Sequence, residues 1–291
     1  MYGPETLLAE ERFLFAHEGS RLVAVLHPPA GPVRAGVILL HGWAGYRAGP
    51  HQMFIKLARQ AAEAGLACLR FDFRGRGDSE GDPAAASLST MISDTARAAE
   101  IFAERCGPAP LALVGDCSGS EVALGAGALL PACERLVLWS APPVGASREE
   151  MLQAKRRGVF GEYLRKALRP ETWRRLLRRE VRLDMVGRAL RSGGLGAGEL
   201  GQASDREIDW ERRFLDFPGR MLFIYGGNDP ATASSLEHYR ELSAEAGRPL
   251  ETHLVAGANH AFYSLAWERE VIETTLDWLG QWARGLGQGH E

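Results

Sequence analysis

The sequence predicts an α/β fold, in which a mostly parallel central sheet is flanked by helices and interrupted by a helical insertion. Short apolar runs alternate with helical patterns along most of the 291 residues, and such alternation is typical of a parallel sheet that is covered on both faces. The alternation stops near residue 145 and resumes near residue 216, with Arg-rich helical patterning between them. We therefore expect a core formed by residues 1–144 and 216–291 and a cap formed by residues 145–215.

The predicted strands are short apolar runs, and the predicted helices carry their apolar residues on one face. Strands are expected at residues 13–16, 22–26, 36–40, 66–73, 111–114, 136–139, 221–225 and 252–255. Helices are expected around Phe54, Leu57 and Ala61 and at residues 88–102, 121–130, 236–246 and 262–286. Because the run at 36–40 has no polar position, we expect it to be buried on both faces of the sheet.

The composition is that of an ordinary globular protein, with 45% hydrophobic and 24% charged residues. The N-terminus lacks a basic stretch before an apolar core, and no apolar run reaches about 18 residues, so we expect neither a signal peptide nor a membrane span. Cys68, Cys106, Cys117 and Cys133 form no C-x-x-C pair. This spacing favours reduced thiols in the cytoplasm over a zinc site or disulfides. The 31 Arg against 3 Lys suggest a GC-rich bacterial genome.

The sharpest motif is Gly-Asp-Cys-Ser-Gly at residues 115–119, which follows an apolar run and precedes a helical pattern. Such a strand–turn–helix segment is a nucleophile elbow, here with a cysteine where serine is usual. The turn exposes Cys117 at a helix N-terminus, where backbone N–H groups and the helix dipole favour a thiolate. The glycine spacing favours Cys117 over Ser118 as the nucleophile. The alternative is a buried, inert cysteine, as we expect for Cys68.

Two candidate partners of Cys117 follow later strands. Asp229 lies in a Gly-Gly-Asn-Asp-Pro segment after strand 221–225, and His260 follows strand 252–255. The carboxyl ends of parallel strands meet at one edge of a sheet, and the chain order nucleophile, acid, histidine is the order that this elbow requires. The alternatives are a turn-forming aspartate before proline and a loop histidine. The sequence thus predicts Cys117, His260 and Asp229 as catalytic residues, with no metal and no cofactor.

Two further loops complete the predicted site. The segment His-Gly-Trp-Ala-Gly at residues 41–45 follows strand 36–40, and we expect the Trp43 N–H and the Ser118 N–H to form an oxyanion hole. The alternative is an ordinary Gly-rich turn. Residues 71–81 are also Gly-rich, but they lack the Lys-Ser/Thr pair of a phosphate-binding loop. We expect this second loop to shape the site.

These segments together resemble the α/β-hydrolase superfamily over nearly the whole chain apart from the cap. The resemblance implies an α/β-hydrolase fold and acyl transfer through an acyl-Cys117 intermediate. With its cysteine, the chain looks like dienelactone hydrolases, polyester synthases, exosortase-associated hydrolases and the aminoacyl shuttle transferases of nonribosomal peptide pathways. The shuttle transferases and the exosortase-associated hydrolases fit the length best.

Three functions remain open at this point. An acyl-cysteine is a thioester, close in energy to an acyl-pantetheine, which favours a carrier-protein-linked acyltransferase or thioesterase whose substrate carries phosphopantetheine. The alternative is a hydrolase of a small carboxylic ester or lactone. A catalytically inactive binding module is disfavoured by the complete set of catalytic residues.

The charge distribution bears on the partner. The chain has a net charge of −3, yet residues 151–191 hold 13 Lys and Arg against 4 Asp and Glu, a net of +9 that leaves −12 elsewhere. An Arg-rich cap suits docking of an acidic carrier protein, although a merely solvated lid fits equally well. The mildly acidic chain as a whole and its complete set of catalytic residues disfavour nucleic acid as a partner.

Overall fold

The computed structural model describes residues 10–144 and 208–286. The strands in this part are β1 (Glu11–His17), β2 (Ser20–His27), β3 (Ala35–Leu40), β4 (Leu66–Phe71), β5 (Leu111–Asp116), β6 (Cys133–Trp139), β7 (Arg220–Gly226) and β8 (Glu251–Val255). The helices are α1 (Met53–Glu63), α2 (Leu88–Cys106), α3 (Ser118–Gly127), α4 (Trp210–Asp216), α5 (Thr232–Glu245) and α6 (Leu265–Leu286). None of these helices is long and apolar enough to cross a membrane.

The eight strands form one sheet in the order β1-β2-β4-β3-β5-β6-β7-β8. β2 is antiparallel to β1 and β4, and every other pair is parallel. The mostly parallel sheet that the sequence predicts is therefore confirmed. As a consequence, β3 to β8 all point their carboxyl ends to one edge of the sheet, where the loops after β3, β4, β5, β6, β7 and β8 meet.

Helices cover both faces of the sheet. α1 and α6 pack on one face through Phe54 and Trp282, and α2 to α5 pack on the other through residues such as Phe102, Phe214 and Tyr239. All six residues of β3 and of β4 are buried. β3 is a continuous apolar run, as expected for a strand covered on both sides, whereas β4 also buries Arg70, whose Nε donates to His27 Nε2 at 2.9 Å. α2 begins at a capping box in which the Ser87 side chain accepts the Thr90 N–H.

Three helices begin at other residues than the sequence predicts. α3 begins at Ser118 rather than at residue 121, because the helix starts directly after the elbow. α6 begins at Leu265 rather than at 262. Phe262 has a φ of 53°, which is outside the helical region. α5 begins at Thr232, four residues before the predicted start, and its Thr232 hydroxyl donates to Gly226 O at 2.8 Å.

The predicted cap helices fall on residues 145–207, which lie outside the described residues. The last part of the predicted insertion is described and contains most of α4. Asp209 caps this helix by accepting the Arg212 N–H at 2.9 Å. Trp210 and Phe214 are buried at 8% and 1% exposure, and α4 contacts α3 and α5. This end of the segment therefore packs on the sheet core.

Candidate active site

Cys117 lies on a strained turn between β5 and α3. Its φ of 54° and ψ of −121° fall where side-chain-bearing residues rarely lie. The flanking glycines are needed for close packing: a Cβ on Gly119 would lie 2.1 Å from Leu40 O, and one on Gly115 would lie 2.3 Å from Gly119 O. The segment therefore has the strained geometry of a nucleophile elbow, with Cys117 at its centre.

The structure brings His260 and Asp229 to the same place. His260 Nδ1 lies 2.7 Å from Asp229 Oδ2, and Asp229 is buried at 9% exposure. The other oxygen of this carboxylate accepts the Ala231 N–H at 3.1 Å, which holds it in place. Cys117 also lies close enough to His260 to raise the pKa of its imidazole. The three predicted catalytic residues thus form one connected group at the carboxyl edge of the sheet.

The charges in this group favour a protonated histidine. Burial disfavours the imidazolium form of His260, but its interactions with Asp229 and Cys117 outweigh burial and raise its pKa to about 10. His260 thus has a carboxylate on one side, which orients it, and the Cys117 thiol on the other. The arrangement is therefore that of a cysteine activated by a neighbouring histidine.

A second carboxyl group lies beside this group. Burial raises the pKa of Asp116 to about 6, although the nearby charge of His260 acts in the opposite direction. Asp116 directly precedes Cys117, and sequence reasoning treated it only as a variable position of the elbow.

The predicted oxyanion loop lies against the elbow. A Cβ on Gly42 would lie 3.1 Å from Asp116 O and 3.4 Å from the Cys117 Cβ, so the backbone of this loop packs closely against the nucleophile. The Trp43 N–H donates to Ser118 Oγ at 2.6 Å. The two residues predicted to form the oxyanion hole are therefore together, with the Trp43 N–H held by the Ser118 hydroxyl.

His41 fixes the position of this loop. Its Nδ1–H donates to Gly42 O at 2.8 Å, and its Nε2 accepts the Phe73 N–H at 3.4 Å. Burial lowers the pKa of His41 to about 4, so the ring is neutral and each nitrogen keeps its role. The histidine thus links the loop after β3 to the loop after β4.

The loop after β4 places an arginine over Trp43. Asp72 is fully buried and accepts the Asp78 N–H at 2.9 Å, which folds the loop back on itself. The Arg76 guanidinium lies 4.6 Å from the centre of the Trp43 ring. Within the described ranges no carboxylate pairs with Arg76, and its buried Nε has no hydrogen-bond partner. Arg74, two residues earlier, pairs instead with carboxylates.

Sequence reasoning missed Ser140, which directly follows β6. The Ser140 hydroxyl donates to the carbonyl oxygen of His260 at 2.8 Å, and the residue has a φ of 47°. Its place after a strand at the carboxyl edge was a usable signal. Its contact with a residue 120 positions away leaves no trace in a local pattern.

No cluster of three or more His, Cys, Asp or Glu that could hold a metal ion occurs in residues 10–144 and 208–286. The prediction that the protein needs no metal and no cofactor stays a prediction.

The fold and this group of residues define an enzyme of the α/β-hydrolase superfamily. The family described as serine aminopeptidase, S33, matches residues 31–264, and the chain belongs to this family. The fold that the resemblance implied is thereby confirmed. The family description names a serine enzyme, whereas this chain has Cys117 at the centre of its elbow.

Two curated relatives match shorter segments. Lysophosphatidylserine lipase ABHD12 of Danio rerio is 38% identical over 87 residues, and Protein ABHD12B of Homo sapiens is 35% identical over 94 residues. These segments cover 30% and 32% of this chain, and only 22% and 25% of the two relatives.

Several solved structures share the fold over nearly the whole chain. An esterase of Pyrococcus furiosus is 16% identical with a TM-score of 0.65, and the match covers 97% of this chain and 95% of that one. A dienelactone hydrolase of Anabaena variabilis is 13% identical with a TM-score of 0.61, covering 93% and 96%. At these identities the likeness concerns the fold alone.

Proposed function

We propose that the protein cleaves carboxylic esters or thioesters through a covalent acyl-Cys117 intermediate. The observation that carries this proposal is the connected group Cys117, His260 and Asp229, which lies at a strained elbow. A cysteine beside a histidine that a buried carboxylate orients is the arrangement of an activated nucleophile.

The reaction has two halves. The Cys117 thiolate adds to the carbonyl carbon, and the carbonyl electron pair moves onto its oxygen, where hydrogen-bond donors stabilise it. The carbonyl then re-forms, and the leaving alcohol or thiol takes a proton from the His260 imidazolium. In the second half His260 removes a proton from water as it attacks the acyl-Cys117, and the acid and the free thiol are released. Asp229 holds the imidazole tautomer and stabilises its charge throughout.

A small ester or lactone with an anionic group is the substrate that the loop after β4 favours. Arg76 is partly buried over Trp43 without a carboxylate among the described residues, whereas its neighbours Arg47 and Arg74 are each paired with acids. A guanidinium without a counter-ion attracts carboxylate or phosphate groups. The similarity to an esterase and, over a shorter segment, to a lysophosphatidylserine lipase also favours ester substrates.

A carrier-protein-linked acyltransferase or thioesterase is the second candidate, and the observation in its favour is the sulfur nucleophile. Because acyl-Cys117 is itself a thioester, a pantetheine thiol can take the acyl group as readily as water can. Docking of an acidic carrier on residues 151–191 would fit their net charge of +9. A cytoplasmic location, where such carriers occur, also remains a prediction.

The test is intact-protein mass spectrometry after incubation with a butyryl thioester. In samples quenched soon after mixing, wild type should carry one butyryl group on Cys117, and Cys117→Ala should carry none. Cys106→Ala is the matched control, because Cys106 is a partly exposed thiol at the end of α2, and this variant should be acylated like wild type.

The fate of the adduct separates the two candidates. Release of butyrate into water supports the hydrolase, whereas a lasting adduct that only a pantetheine thiol discharges supports the transferase. A butyryl group that still appears on Cys117→Ala would overturn the proposal and point to Ser118 as the nucleophile.

A further inference from the structure

The Ser118 side chain contacts the backbone of Trp43, one of the two residues whose N–H groups are expected to stabilise an oxyanion. Trp43 N–H donates to Ser118 Oγ at 2.6 Å, so this predicted donor is engaged within the protein. A hydroxyl has one donor hydrogen and two acceptor lone pairs. Ser118 Oγ uses a lone pair for Trp43, and among the described residues its hydrogen has no acceptor.

Ser118 also offers its backbone N–H. The residue is the first of α3, so this N–H has no carbonyl partner within the helix. The helix dipole also favours negative charge at this end. One residue, directly after Cys117, therefore presents an N–H and an O–H beside the nucleophile.

The contact between Trp43 and Ser118 is held by the fold around it. Gly42 lies directly against the elbow, since a Cβ at this position would lie 3.1 Å from Asp116 O. On its other side His41 holds the loop through hydrogen bonds to Gly42 O and Phe73 N–H. These contacts hold the Trp43 N–H in hydrogen-bonding distance of the Ser118 hydroxyl.

We propose that the Ser118 hydroxyl is a catalytic residue, which donates a hydrogen bond directly to the oxyanion formed when Cys117 attacks. The inference rests on the proposed function and changes the predicted oxyanion hole. Its donors become Ser118 N–H and Ser118 O–H, and Trp43 N–H polarises the hydroxyl from behind. The hydroxyl proton stays on Ser118: the thiolate–carbon bond forms, the carbonyl electron pair moves to oxygen, and that oxygen accepts the two hydrogen bonds.

The experiment compares two reactions of Cys117 in the full chain. Acylation by p-nitrophenyl acetate, followed as the first release of nitrophenolate, forms an oxyanion, whereas alkylation by iodoacetamide requires only the thiolate. Ser118→Ala should slow acylation by about 10²-fold, the typical effect of losing one oxyanion donor, and should leave alkylation unchanged. Ser118→Thr keeps a hydroxyl and should restore acylation.

Ser120→Ala is the matched control from the same helical turn. The Ser120 hydroxyl donates to the carbonyls of Gly115 and Trp139 at 3.0 and 3.2 Å, away from the Trp43 loop. Any disturbance of the elbow by this variant should change acylation and alkylation in parallel, so that their ratio stays that of wild type.

Three results would overturn the inference. Faster acylation by Ser118→Ala would mean that the hydroxyl blocks the Trp43 N–H. An equal loss of acylation and alkylation in Ser118→Ala would mean that Ser118 affects the thiolate itself and not the oxyanion. Acylation of Ser118→Ala at the wild-type rate would mean that the hydroxyl has no part in the mechanism. A wild-type protein that is alkylated but never acylated would instead refute the proposed function, and the inference with it.

Discussion

The two edges of the sheet are built in opposite ways. At the carboxyl edge Cys117, Ser140 and Phe262 all have positive φ values, between 47° and 54°. At the amino edge, where β6 and β8 begin, polar groups are paired: Glu134 accepts the Trp282 Nε1–H at 2.9 Å, and Glu251 accepts the Trp278 Nε1–H at 3.0 Å.

Two charged groups also differ between the edges, although the carboxyl edge holds paired carboxylates as well, such as Asp72 and Asp229. Glu251 pairs with the Arg220 guanidinium through two hydrogen bonds of 2.8 and 2.7 Å at the amino edge. At the carboxyl edge Asp116 has a raised pKa, and Arg76 has no carboxylate partner among the described residues. Strained backbone and polar groups without full pairing cost stability and persist where chemistry needs them. The comparison therefore predicts that carboxyl-edge substitutions change reactivity and that amino-edge substitutions change stability alone.

The largest expected effect is that of Asp229→Asn. An amide at this position cannot stabilise the imidazolium of His260 and favours the wrong tautomer, so acylation of Cys117 should fall by roughly 10²- to 10⁴-fold. Pre-steady-state release of nitrophenolate measures this rate. Asp277→Asn, on the exposed side of α6, is the control and should react like wild type. Equal rates for the two variants would contradict the role of Asp229.

The same variant should also change how stability depends on pH. The pKa of His260 is raised from its ordinary value of 6.5 to about 10 in the folded protein. The stability that its protonation contributes is therefore fully present below pH 6.5 and is lost as the pH rises through about 10. Urea unfolding should show wild type most strongly stabilised relative to Asp229→Asn near pH 6, with the difference shrinking toward pH 10. A difference that grows with pH would contradict the raised pKa.

A smaller effect is expected for Ser140→Ala. Loss of the hydrogen bond to the His260 carbonyl lets the histidine loop move, and a bond of this kind contributes about 1 kcal/mol, so acylation should slow roughly 2- to 10-fold. As a positioning residue, Ser140 should also shift the pH profile of acylation, because His260 then sits less firmly between Asp229 and Cys117.

Tyr225→Phe provides the control for this prediction. The Tyr225 hydroxyl donates to Ala141 O at 3.0 Å, one residue further along the same loop. Its loss should lower stability without moving the pH profile. If the two variants had the same profile, Ser140 would be a structural residue only.

The catalytic group was predictable because each member has a local signal. Cys117, Asp229 and His260 each follow an apolar run that proves to be a strand, and parallel strands bring such positions to one edge. Apolar runs predicted the strands for the same reason, since burial on both faces removes polar residues from the sequence.

The parts of the fold and of the site that the sequence does not predict depend on backbone geometry and on contacts between residues far apart in the chain. The start of α6 depends on the positive φ of Phe262, which composition does not encode. The bond from Trp282 to Glu134 spans 148 positions, and that from Trp43 to Ser118 spans 75. Any hydroxyl, carboxylate or indole can form such bonds, so the residue type alone does not select the partner.

The smallest kinetic effect is expected for Glu251→Gln at the amino edge. The substituted amide would lack the charge that pairs with Arg220 but would keep an oxygen for the Trp278 indole, so the free energy of unfolding should fall by about 1 kcal/mol. Burial raises the pKa of Glu251, but hydrogen bonds from Arg220 and Trp278 outweigh it and lower the pKa overall.

The sign of this shift fixes the pH range of the effect. Because the folded pKa is lowered from 4.5, the stabilisation is present above pH 4.5 and is lost as the pH falls through the lowered pKa. Urea unfolding at pH 7 and near pH 3 measures this difference, and the acylation rate at pH 7 should equal that of wild type. A slowed acylation would mean that the amino edge is coupled to the catalytic edge through β7 and β8, and the division between the two edges would fail.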